Sequence, residues 1–352
     1  MNPEFFDAIA QIEQEKGIPQ DYMLDRIAQA LTAAYRRTSG VDDEKVVVLT
    51  DPKEKTITMF VQYDVVAEIE DLEEPDSMLT IDEARAIDPN AEVGGVVRKY
   101  IDVSKFGRIA AQTAKQVIIQ GIREAERGMM LREYESKTHE LVSGTVLRIN
   151  QKNGNAYLDI GNNRDGATDA VLPPAEQIAG ETVREGQRIR VYVVEARATT
   201  RGPQVMVSRT HPGLVKRLFE LEVPEIHDGT VEIKSIAREA GSRTKIAVWA
   251  NDENVDPIGS CVGPKGARVE HIVDELGGEK IDIIKYSDSP EEYIAAALSP
   301  AEVVSVTMLE DGKSCTVIVP ADQLSLAIGK EGQNARLVAR LTGFKIDIKP
   351  AE

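Results

Sequence analysis

One pattern of glycines and apolar residues occurs twice near the end of the chain. A shift of 66 positions places residues 263–266 on residues 329–332, and the apolar positions that follow them also coincide. With one residue removed, the Lys-Ile-Asp-Ile of residues 280–283 falls on the same four letters at residues 345–348. A pattern that recurs with its spacing intact indicates a duplicated fold unit.

The sequence on either side of each glycine pair makes the GxxG motif informative. A GxxG spacing alone is weak, because 26 glycines in 352 residues give about two such pairs by chance. Here both pairs follow an apolar segment, open a helical pattern and lead to an Ile-Asp-Ile strand. The order helix, GxxG turn, helix and strand is the core of a KH module. A plain connection between helices is the alternative, but it gives no reason for the whole unit to recur.

The two turns predict a binding site for single-stranded nucleic acid. Glycine leaves no side chain between the backbone and a phosphate, and the start of the next helix adds unpaired N–H groups. About four bases are then expected to enter an adjoining apolar groove. The predicted contacts are the exposed turn residues Gly263, Pro264, Lys265, Gly266, Gly329, Lys330, Glu331 and Gly332, the cations Arg268 and Arg336, the base-reading Gln333 and Asn334, and the groove residues Ile258, Val262 and Ile328.

A nucleotide-hydrolysing P-loop does not fit the second turn. In that motif a Ser or Thr follows the Gly-Lys pair, and another glycine stands five residues before it. Here Glu331 follows Lys330, and Leu324 occupies the earlier position. Nucleotide hydrolysis is therefore not expected.

The remaining reactive residues indicate no catalytic or metal site. The histidines share no spacing with acids or thiols that is typical of such sites, and the two cysteines follow no metal or disulfide spacing. We therefore expect structural roles for them, and no cofactor or metal. These residues are His139, His211, His227, His271, Cys261 and Cys315.

Residues 138–210 contain five short β-rich segments separated by Gly, Asn, Pro and charged residues. Five strands in about 70 residues suit a small closed barrel of the OB class. The region before them combines helical and strand patterns. One predicted helix starts at an Asn-Pro pair at residues 2–3, and two others cover residues 20–38 and 104–136. Two predicted strands cover residues 46–50 and 56–69.

The formal charge of −17 is distributed unevenly. Residues 1–133 carry 26 acidic and 16 basic side chains, whereas residues 134–210 carry 9 and 10. Because cations dominate affinity for phosphate, nucleic acid is expected at local cationic edges, and the acidic first region is expected to bind protein. The chain shows no signal-peptide pattern and no apolar stretch of membrane-spanning length. We therefore expect a cytoplasmic protein without membrane contact.

Several longer phrases resemble the NusA family of bacterial transcription termination and antitermination factors. They are FGRIAAQTAKQVI at residues 106–118, REAER at 123–127, LFELEVPEI at 218–226, DPIGSCVGPKGARV at 256–269 and AIGKEGQNARL at 327–337. The resemblance covers most of the chain and implies a multidomain α+β protein. Its expected parts are a helical/β N-terminal domain with a long connecting helix at residues 1–136, an S1-type OB β-barrel at 137–209, and two tandem KH domains of type II at 210–288 and 289–352.

The resemblance also implies a function without catalysis. The N-terminal domain would bind the RNA polymerase core near the RNA exit channel, and the S1 and KH domains would hold nascent single-stranded RNA. The factor, a monomer, would act with other elongation and antitermination factors on pausing, termination and antitermination. Arg108 and Lys115 match family positions that face the exit-channel RNA. The barrel is poorer in aromatic residues than a typical S1 domain, with Tyr157 and Tyr192 as its candidates for base stacking.

Two other functions remain as alternatives to a polymerase-bound RNA factor. Phosphorolytic RNA nucleases also combine S1 and KH modules, but they need a large duplicated catalytic core, for which residues 1–133 are too short. A ribosome-associated KH protein is the second alternative.

Overall fold

The computed structural model describes residues 3–39, 45–68, 78–101, 107–161, 170–199 and 202–351. The chain divides into two units, Met1–Met130 and Leu131–Glu352. None of the described helices is both long and apolar enough to cross a lipid bilayer.

Two amphipathic helices begin the first unit, α1 (Pro3–Lys16) and α2 (Gln20–Ser39). Their apolar residues recur at intervals of three and four, so they line one side of each helix. The predicted second helix is confirmed within one residue at its end, and its stripe is buried in the core at Met23, Leu24, Ile27 and Leu31. The predicted cap at Asn2 lies outside the described residues.

A four-stranded sheet follows, with the longest strand at its centre. The strands are β1 (Val46–Asp51), β2 (Thr56–Val66), β3 (Met78–Thr80) and β4 (Val96–Ile101), and α3 (Ile81–Ile87) lies between the last two in sequence. Strand β2 pairs antiparallel with β1 and β4 and parallel with β3. The sequence patterns predicted β1 and β2, whereas the short β3, α3 and β4 were missed.

The long helix α4 (Gly107–Ser136) runs from the first unit into the second. It was predicted from residue 104, but residues 104–106 lie outside the described part of the chain. Ile118, Ile122 and Ala125 pack against the core formed by α1 and α2, which confirms this part of the predicted apolar stripe. Lys115 on the same helix is exposed.

Five strands of the second unit form a closed barrel, as predicted. They are β5 (Leu141–Ile149), β6 (Ala156–Asp159), β7 (Ala170–Leu172), β8 (Arg188–Thr199) and β9 (Gly202–Ser208), and they are paired in the order β5-β6-β7-β9-β8. Val191 and Val193 on β8, and Val205 and Val207 on β9, are buried at alternate positions. This alternation fills the barrel interior with side chains.

Two modules of the same fold complete the second unit. The first contains α5 (Pro212–Glu222), α6 (Pro224–His227), β10 (Val231–Glu239), β11 (Arg243–Ala250), α7 (Pro257–Val262), α8 (Ala267–Glu275) and β12 (Lys280–Lys285). The second contains α9 (Pro290–Ala297), β13 (Ser305–Met308), β14 (Ser314–Val319), α10 (Leu324–Ile328), α11 (Gln333–Thr342) and β15 (Lys345–Pro350).

Each module has a three-stranded mixed sheet. In the first, β11 pairs antiparallel with β10 and parallel with β12. In the second, β14 pairs antiparallel with β13 and parallel with β15. A helix, two antiparallel strands, two helices around a GxxG turn and a final parallel strand form the KH fold of type II. The predicted duplication is therefore confirmed.

A buried arginine joins the barrel to the first KH module. Arg209 is 1% exposed, and its Nη2 lies 2.7 Å from Oε1 of Glu181 in the barrel. Its Nη1 lies 3.3 Å from Oε1 of Glu275 at the end of α8. A buried charge paired with two carboxylates favours one arrangement of the two parts.

The two KH modules share a hydrophobic core. Ala237, Ala247 and Ile284 from the sheet of the first module pack in one cluster with Leu337 and Leu341 of α11. The hydroxyl of Ser235 donates a hydrogen bond of 2.8 Å to the carbonyl oxygen of Leu341, across the same contact between the modules. The two modules are therefore packed directly against each other, in addition to being connected by the chain.

Candidate nucleic-acid interface

The two GxxG turns, residues 263–266 and 329–332, follow the same backbone path. Their first glycines have φ of 73° and 77°, and their last glycines have φ of 81° and 75°. The third position is also left-handed, at Lys265 with φ 55° and Glu331 with φ 53°. Left-handed conformations are uncommon for residues with a side chain. Their recurrence in both modules therefore marks one specific turn.

The first glycine of each turn has no room for a side chain. A Cβ at Gly263 would lie 2.6 Å from Cγ of Arg268, and one at Gly329 would lie 2.7 Å from the backbone nitrogen of Asn334. At Gly266 a Cβ would meet no atom within 4 Å, so only the positive φ favours glycine there. The outer side of the first turn is thus open.

The turns are exposed and each opens a helix. The side chains between the glycines, Pro264-Lys265 and Lys330-Glu331, are exposed as predicted. The N-cap residues of α8 and α11 are the glycines 266 and 332, neither of which provides a side-chain cap. The first N–H groups of these helices therefore keep the partial positive charge that attracts anions.

Each turn carries one exposed lysine. Within the described part of the chain, neither Lys265 nor Lys330 forms an ion pair. Each stands between the two glycines of its turn, so its ammonium group is available to a phosphate that approaches the helix start.

The apolar residues beside the turns are only partly buried. In the first module, Ile258, Ile281 and Ile283 surround the buried core, and α7 packs along β12. Val262 is half-buried at the end of α7. In the second module, Ile328 is 37% exposed at the end of α10. These residues leave apolar surface next to each turn.

The strand contribution to this surface was missed by the sequence interpretation. Ile281 and Ile283 on β12, and Ile346 and Ile348 on β15, are half-buried at the margin of the two cores. The repeated Ile-Asp-Ile pattern indicates duplication. Its alternation also places both isoleucines on one face of the strand, which is the sequence signal for this surface.

Arg268 differs from its predicted role in phosphate binding. Its Nη1 donates to the carbonyl oxygen of Ser260 at 2.6 Å and lies 2.9 Å from Oε2 of Glu225. The guanidinium group is therefore occupied by the last turn of α7 and by a carboxylate of α6. It holds the helix before the turn, and its side chain is 26% exposed.

Asn334 also differs from its predicted role in reading bases. It is 3% exposed, and its Nδ2 donates to the carbonyl oxygens of Ala327 and Leu298 at 3.0 and 3.2 Å. Burial leaves its amide no accessible edge, so it cannot contact a base in this structure. Like Arg268, it fixes the helix that precedes the turn.

Gln333 and Arg336 are engaged with the neighbouring module. Arg336 Nε lies 2.6 Å from Oε1 of Glu239, and Gln333 Nε2 donates to Oε2 of the same carboxylate at 2.9 Å. Gln333 also donates to Oγ of Ser242 at 2.8 Å. Glu239 was missed, because it precedes these residues by more than ninety positions and no local pattern links them.

Four sequence families match the chain in succession. They are the NusA N-terminal domain at residues 4–128, the S1 RNA binding domain at 135–208, the NusA-like first KH domain at 209–286 and the NusA-like second KH domain at 290–352. The transcription termination/antitermination protein NusA of Bacillus subtilis (strain 168) is 50% identical over 351 residues, which cover 99% of this chain and 91% of that protein. The chain belongs to the NusA family.

A further protein and a solved domain of the NusA family are similar to this chain over different lengths. The protein of the same name from Thermus thermophilus is 39% identical over 361 aligned residues, covering 100% of this chain and 91% of its own. The solution structure of the N-terminal domain of NUSA from B. subtilis is 39% identical, with a TM-score of 0.30, and covers 36% of this chain and 100% of that domain.

In this NusA-family chain, one of the two predicted stacking tyrosines is unavailable. Tyr192 is 7% exposed, and its ring stacks on that of His211 with centroids 4.5 Å apart. Its hydroxyl lies 3.0 Å from Nδ1 of His139. Tyr192 therefore packs at the junction of the barrel and the first KH module. Tyr157 is half-buried, with the guanidinium carbon of Arg148 4.1 Å from its ring centroid.

The histidines at that junction have structural contacts. Nδ1 of His211 accepts a hydrogen bond of 3.0 Å from the backbone N–H of Gly213 and so caps α5. Among the residues that the structure describes, no three His, Cys, Asp or Glu side chains are grouped to hold a metal ion.

Of the two predicted exit-channel residues, Lys115 is exposed, whereas the side chain of Arg108 lies outside the described part of the chain.

Proposed function

We propose that this chain is a non-catalytic RNA-binding transcription elongation factor that holds nascent single-stranded RNA against its two KH turns. The observation that carries the proposal is the pair of exposed GxxG turns with matching left-handed conformations, each at the uncapped start of a helix. The names of its relatives support a role in termination and antitermination. The four domains are proposed to lie at residues 1–136, 137–209, 210–288 and 289–352.

The geometry suits binding of the RNA backbone. A phosphate can approach the turn closely because no side chain stands on the glycines, and it meets the positive end of the helix dipole. Lys265 and Lys330 add one flexible cation at each turn. Since few cations surround the turns, only a few counterions are released on binding, and the salt dependence is expected to be shallow.

The N-terminal unit is proposed to bind the RNA polymerase core near the RNA exit channel. Its acidic composition suits a protein partner more than nucleic acid. The exposed Lys115 and Arg123 lie two helical turns apart on α4 and would face the emerging RNA, together with Arg108. The protein is proposed to act as a cytoplasmic monomer alongside other elongation and antitermination factors.

The RNA-binding part is tested by reversing charge at both turns. Lys265→Asp combined with Lys330→Asp should weaken binding of single-stranded RNA at least tenfold, because each aspartate repels a phosphate. Lys216→Asp combined with Lys313→Asp makes the same change in charge at exposed positions away from the turns and should have a small effect. Equal RNA affinity in both double variants would contradict the proposed site.

The polymerase-binding part is tested by removing residues 1–130, the first unit of the structure. The truncated chain should bind RNA as before and should not co-purify with core polymerase. Incubation of the full chain with labelled RNA, phosphate and Mg²⁺ should leave the RNA intact. Shortened RNA would favour the nuclease alternative, and co-purification with ribosomes in place of polymerase would favour a ribosomal role.

A further inference from the structure

A carboxylate from the first KH module lies beside the second KH turn. Glu239 is the last residue of β10, and its two oxygens lie 2.6 and 3.3 Å from Nε and Nη2 of Arg336. Arg336 stands in the first turn of α11, and its Nη1 also donates to the carbonyl oxygen of Glu331 within the GxxG turn, at 3.2 Å. The guanidinium group therefore bridges the turn and the neighbouring module.

The groups around this carboxylate are those that bind phosphate. A guanidinium group offers two parallel N–H donors to an anion, and the start of a helix adds favourable electrostatics. Gln333 supplies an amide donor, and Nη1 of Arg340 lies 3.9 Å from the same carboxylate. Glu239 thus occupies an anion position made by the beginning of α11.

Glu239 is ionised and Arg336 remains partly accessible. Hydrogen bonding by Arg336 holds the pKa of Glu239 below its ordinary value, against the opposing effect of burial. The side chain of Glu239 is 22% exposed, whereas that of Arg336 is 44% exposed. A phosphate at the second turn can therefore reach the guanidinium group from the solvent side.

At the first turn, the position equivalent to Arg336 holds no cation, and the arginine–carboxylate pair beside that turn, Arg268 with Glu225, involves a different position of the helix. The 66-residue shift places Glu270, an exposed acidic residue, at the position of Arg336. The exposed cation of the first turn is Lys265. An effect on RNA binding that depends on both Glu239 and Arg336 is thus specific to the second turn.

We propose that Glu239 competes with RNA phosphate for Arg336 and so limits the affinity of the second KH turn. The carboxylate neutralises the arginine in the free protein, and RNA gains this cation only when a phosphate displaces the carboxylate. This inference rests on the proposed binding of RNA at the two turns. Glu239 is in this view a residue that sets affinity, acting through Arg336.

The test measures binding of random-sequence single-stranded RNA of about 12 nucleotides, long enough for four at each turn. Glu239→Gln keeps the size of the side chain and removes its charge. It should tighten binding about threefold to tenfold at low salt and make the slope of log K against log salt more negative by about 0.7, the value for one further phosphate contact on a single strand.

Three further variants make the result specific. Glu239→Asp keeps the charge but shortens the side chain, so it should give a smaller gain in the same direction, and it replaces Glu239→Gln if that variant unfolds. Glu310→Gln, at an exposed residue between β13 and β14, makes the same change in net charge and should have little effect. In an Arg336→Gln background, Glu239→Gln should give no gain.

Unchanged or weaker RNA binding by Glu239→Gln would overturn the proposal, as would an equal gain in Glu310→Gln or a gain that persists without Arg336. The double variant Lys265→Asp and Lys330→Asp separates this failure from a failure of the proposed function. If that variant loses RNA binding while Glu239→Gln changes nothing, the turns bind RNA and only the competition is refuted. If neither changes binding, the RNA site itself lies elsewhere.

Discussion

Arg268 and Asn334 occupy equivalent positions in the two KH modules, and each ties its GxxG turn to the helix before it. The guanidinium group of Arg268 bonds the carbonyl oxygen of Ser260, and the amide of Asn334 bonds that of Ala327. Both carbonyls belong to the helix that ends at the turn. Two different side chains thus perform the same structural task, which leaves the outer face of each turn to other residues.

Replacement of Arg268 should lower the stability of the fold, whereas replacement of Lys265 should change the salt dependence of RNA binding. Arg268→Ala is expected to lower the free energy of unfolding by about 1 to 2 kcal/mol, because a carbonyl and the carboxylate of Glu225 lose their partner. Lys265→Ala should leave stability unchanged and reduce the salt slope of RNA binding by about 0.7. Urea unfolding and RNA titrations at several salt concentrations measure both effects. A loss of salt slope in Arg268→Ala at full stability would restore its phosphate role.

Asn334 should affect stability and not base recognition. Asn334→Ala removes the side-chain donor to the carbonyl oxygen of Ala327 and one of the two donors to that of Leu298, which also accepts from the N–H of Ala301. It is expected to cost about 1 to 3 kcal/mol in the free energy of unfolding. Lys330→Ala, at an exposed position of the preceding turn, should cost less than about 0.5 kcal/mol. RNA preference measured on the folded Asn334→Ala protein should match that of the parent. A changed base preference at full stability would contradict this.

The two glycines of the first turn should not be equally sensitive. Gly263→Ala places a Cβ 2.6 Å from Cγ of Arg268, at a backbone conformation with φ 73° and ψ 178° that is nearly exclusive to glycine. Gly266→Ala meets open space and suffers only the left-handed penalty of about 1 to 2 kcal/mol. Thermal unfolding should therefore show the larger loss for Gly263→Ala. Equal losses would mean that the turn relaxes around the added methyl group.

Glu279 should make the first KH module sensitive to acid. Burial alone raises the pKa of this carboxyl, but hydrogen bonds from Arg238, Thr244 and the backbone of Gly241 hold it below the ordinary value of 4.5. The unfolded chain therefore binds the proton more tightly, so stability is present above pH 4.5 and is lost as the pH falls through the lower pKa.

The variant Glu279→Gln tests this sign. It leaves Arg238 buried without its anion and should cost about 3 to 5 kcal/mol at neutral pH. Its stability should then fall less steeply below pH 4.5 than that of the parent, as measured by denaturant unfolding across the acid range. An equally steep fall in both proteins would assign the acid sensitivity to other carboxyls.

The fold was accessible from the sequence where patterns were long or repeated. Periodic apolar residues occur in the stripe from Met23 to Leu31, in the five barrel strands and in the duplicated GxxG unit. Such a period is compatible with few other secondary structures. Strands such as β3 have only three residues and depend on pairing with β2. Such short elements form because the sheet already exists, and no local sequence signal identifies them.

The backbone of the two GxxG turns was predictable from the sequence, whereas the contacts of the polar side chains beside them were not. Glycines at fixed spacing determine the turn, so its conformation and exposure followed from the sequence. Each of these polar side chains also has a partner that is distant in sequence. Arg268 pairs with Glu225 of α6, Asn334 bonds Leu298 just after α9, and Arg336 pairs with Glu239 of β10. Whether a polar side chain faces outward or bonds its own protein depends on those tertiary contacts, which a single sequence does not show.

The shared core of the two KH modules lowers the affinity that each turn needs on its own. Because Ala237 and Leu341 lie in one packed cluster, the second turn is held at a set distance from the first, with no flexible tether to order. Under the proposed function, an RNA strand bound at one turn meets the other at a high effective concentration. Two weak contacts with RNA can in this way give slow overall dissociation, while the RNA still leaves one turn at a time.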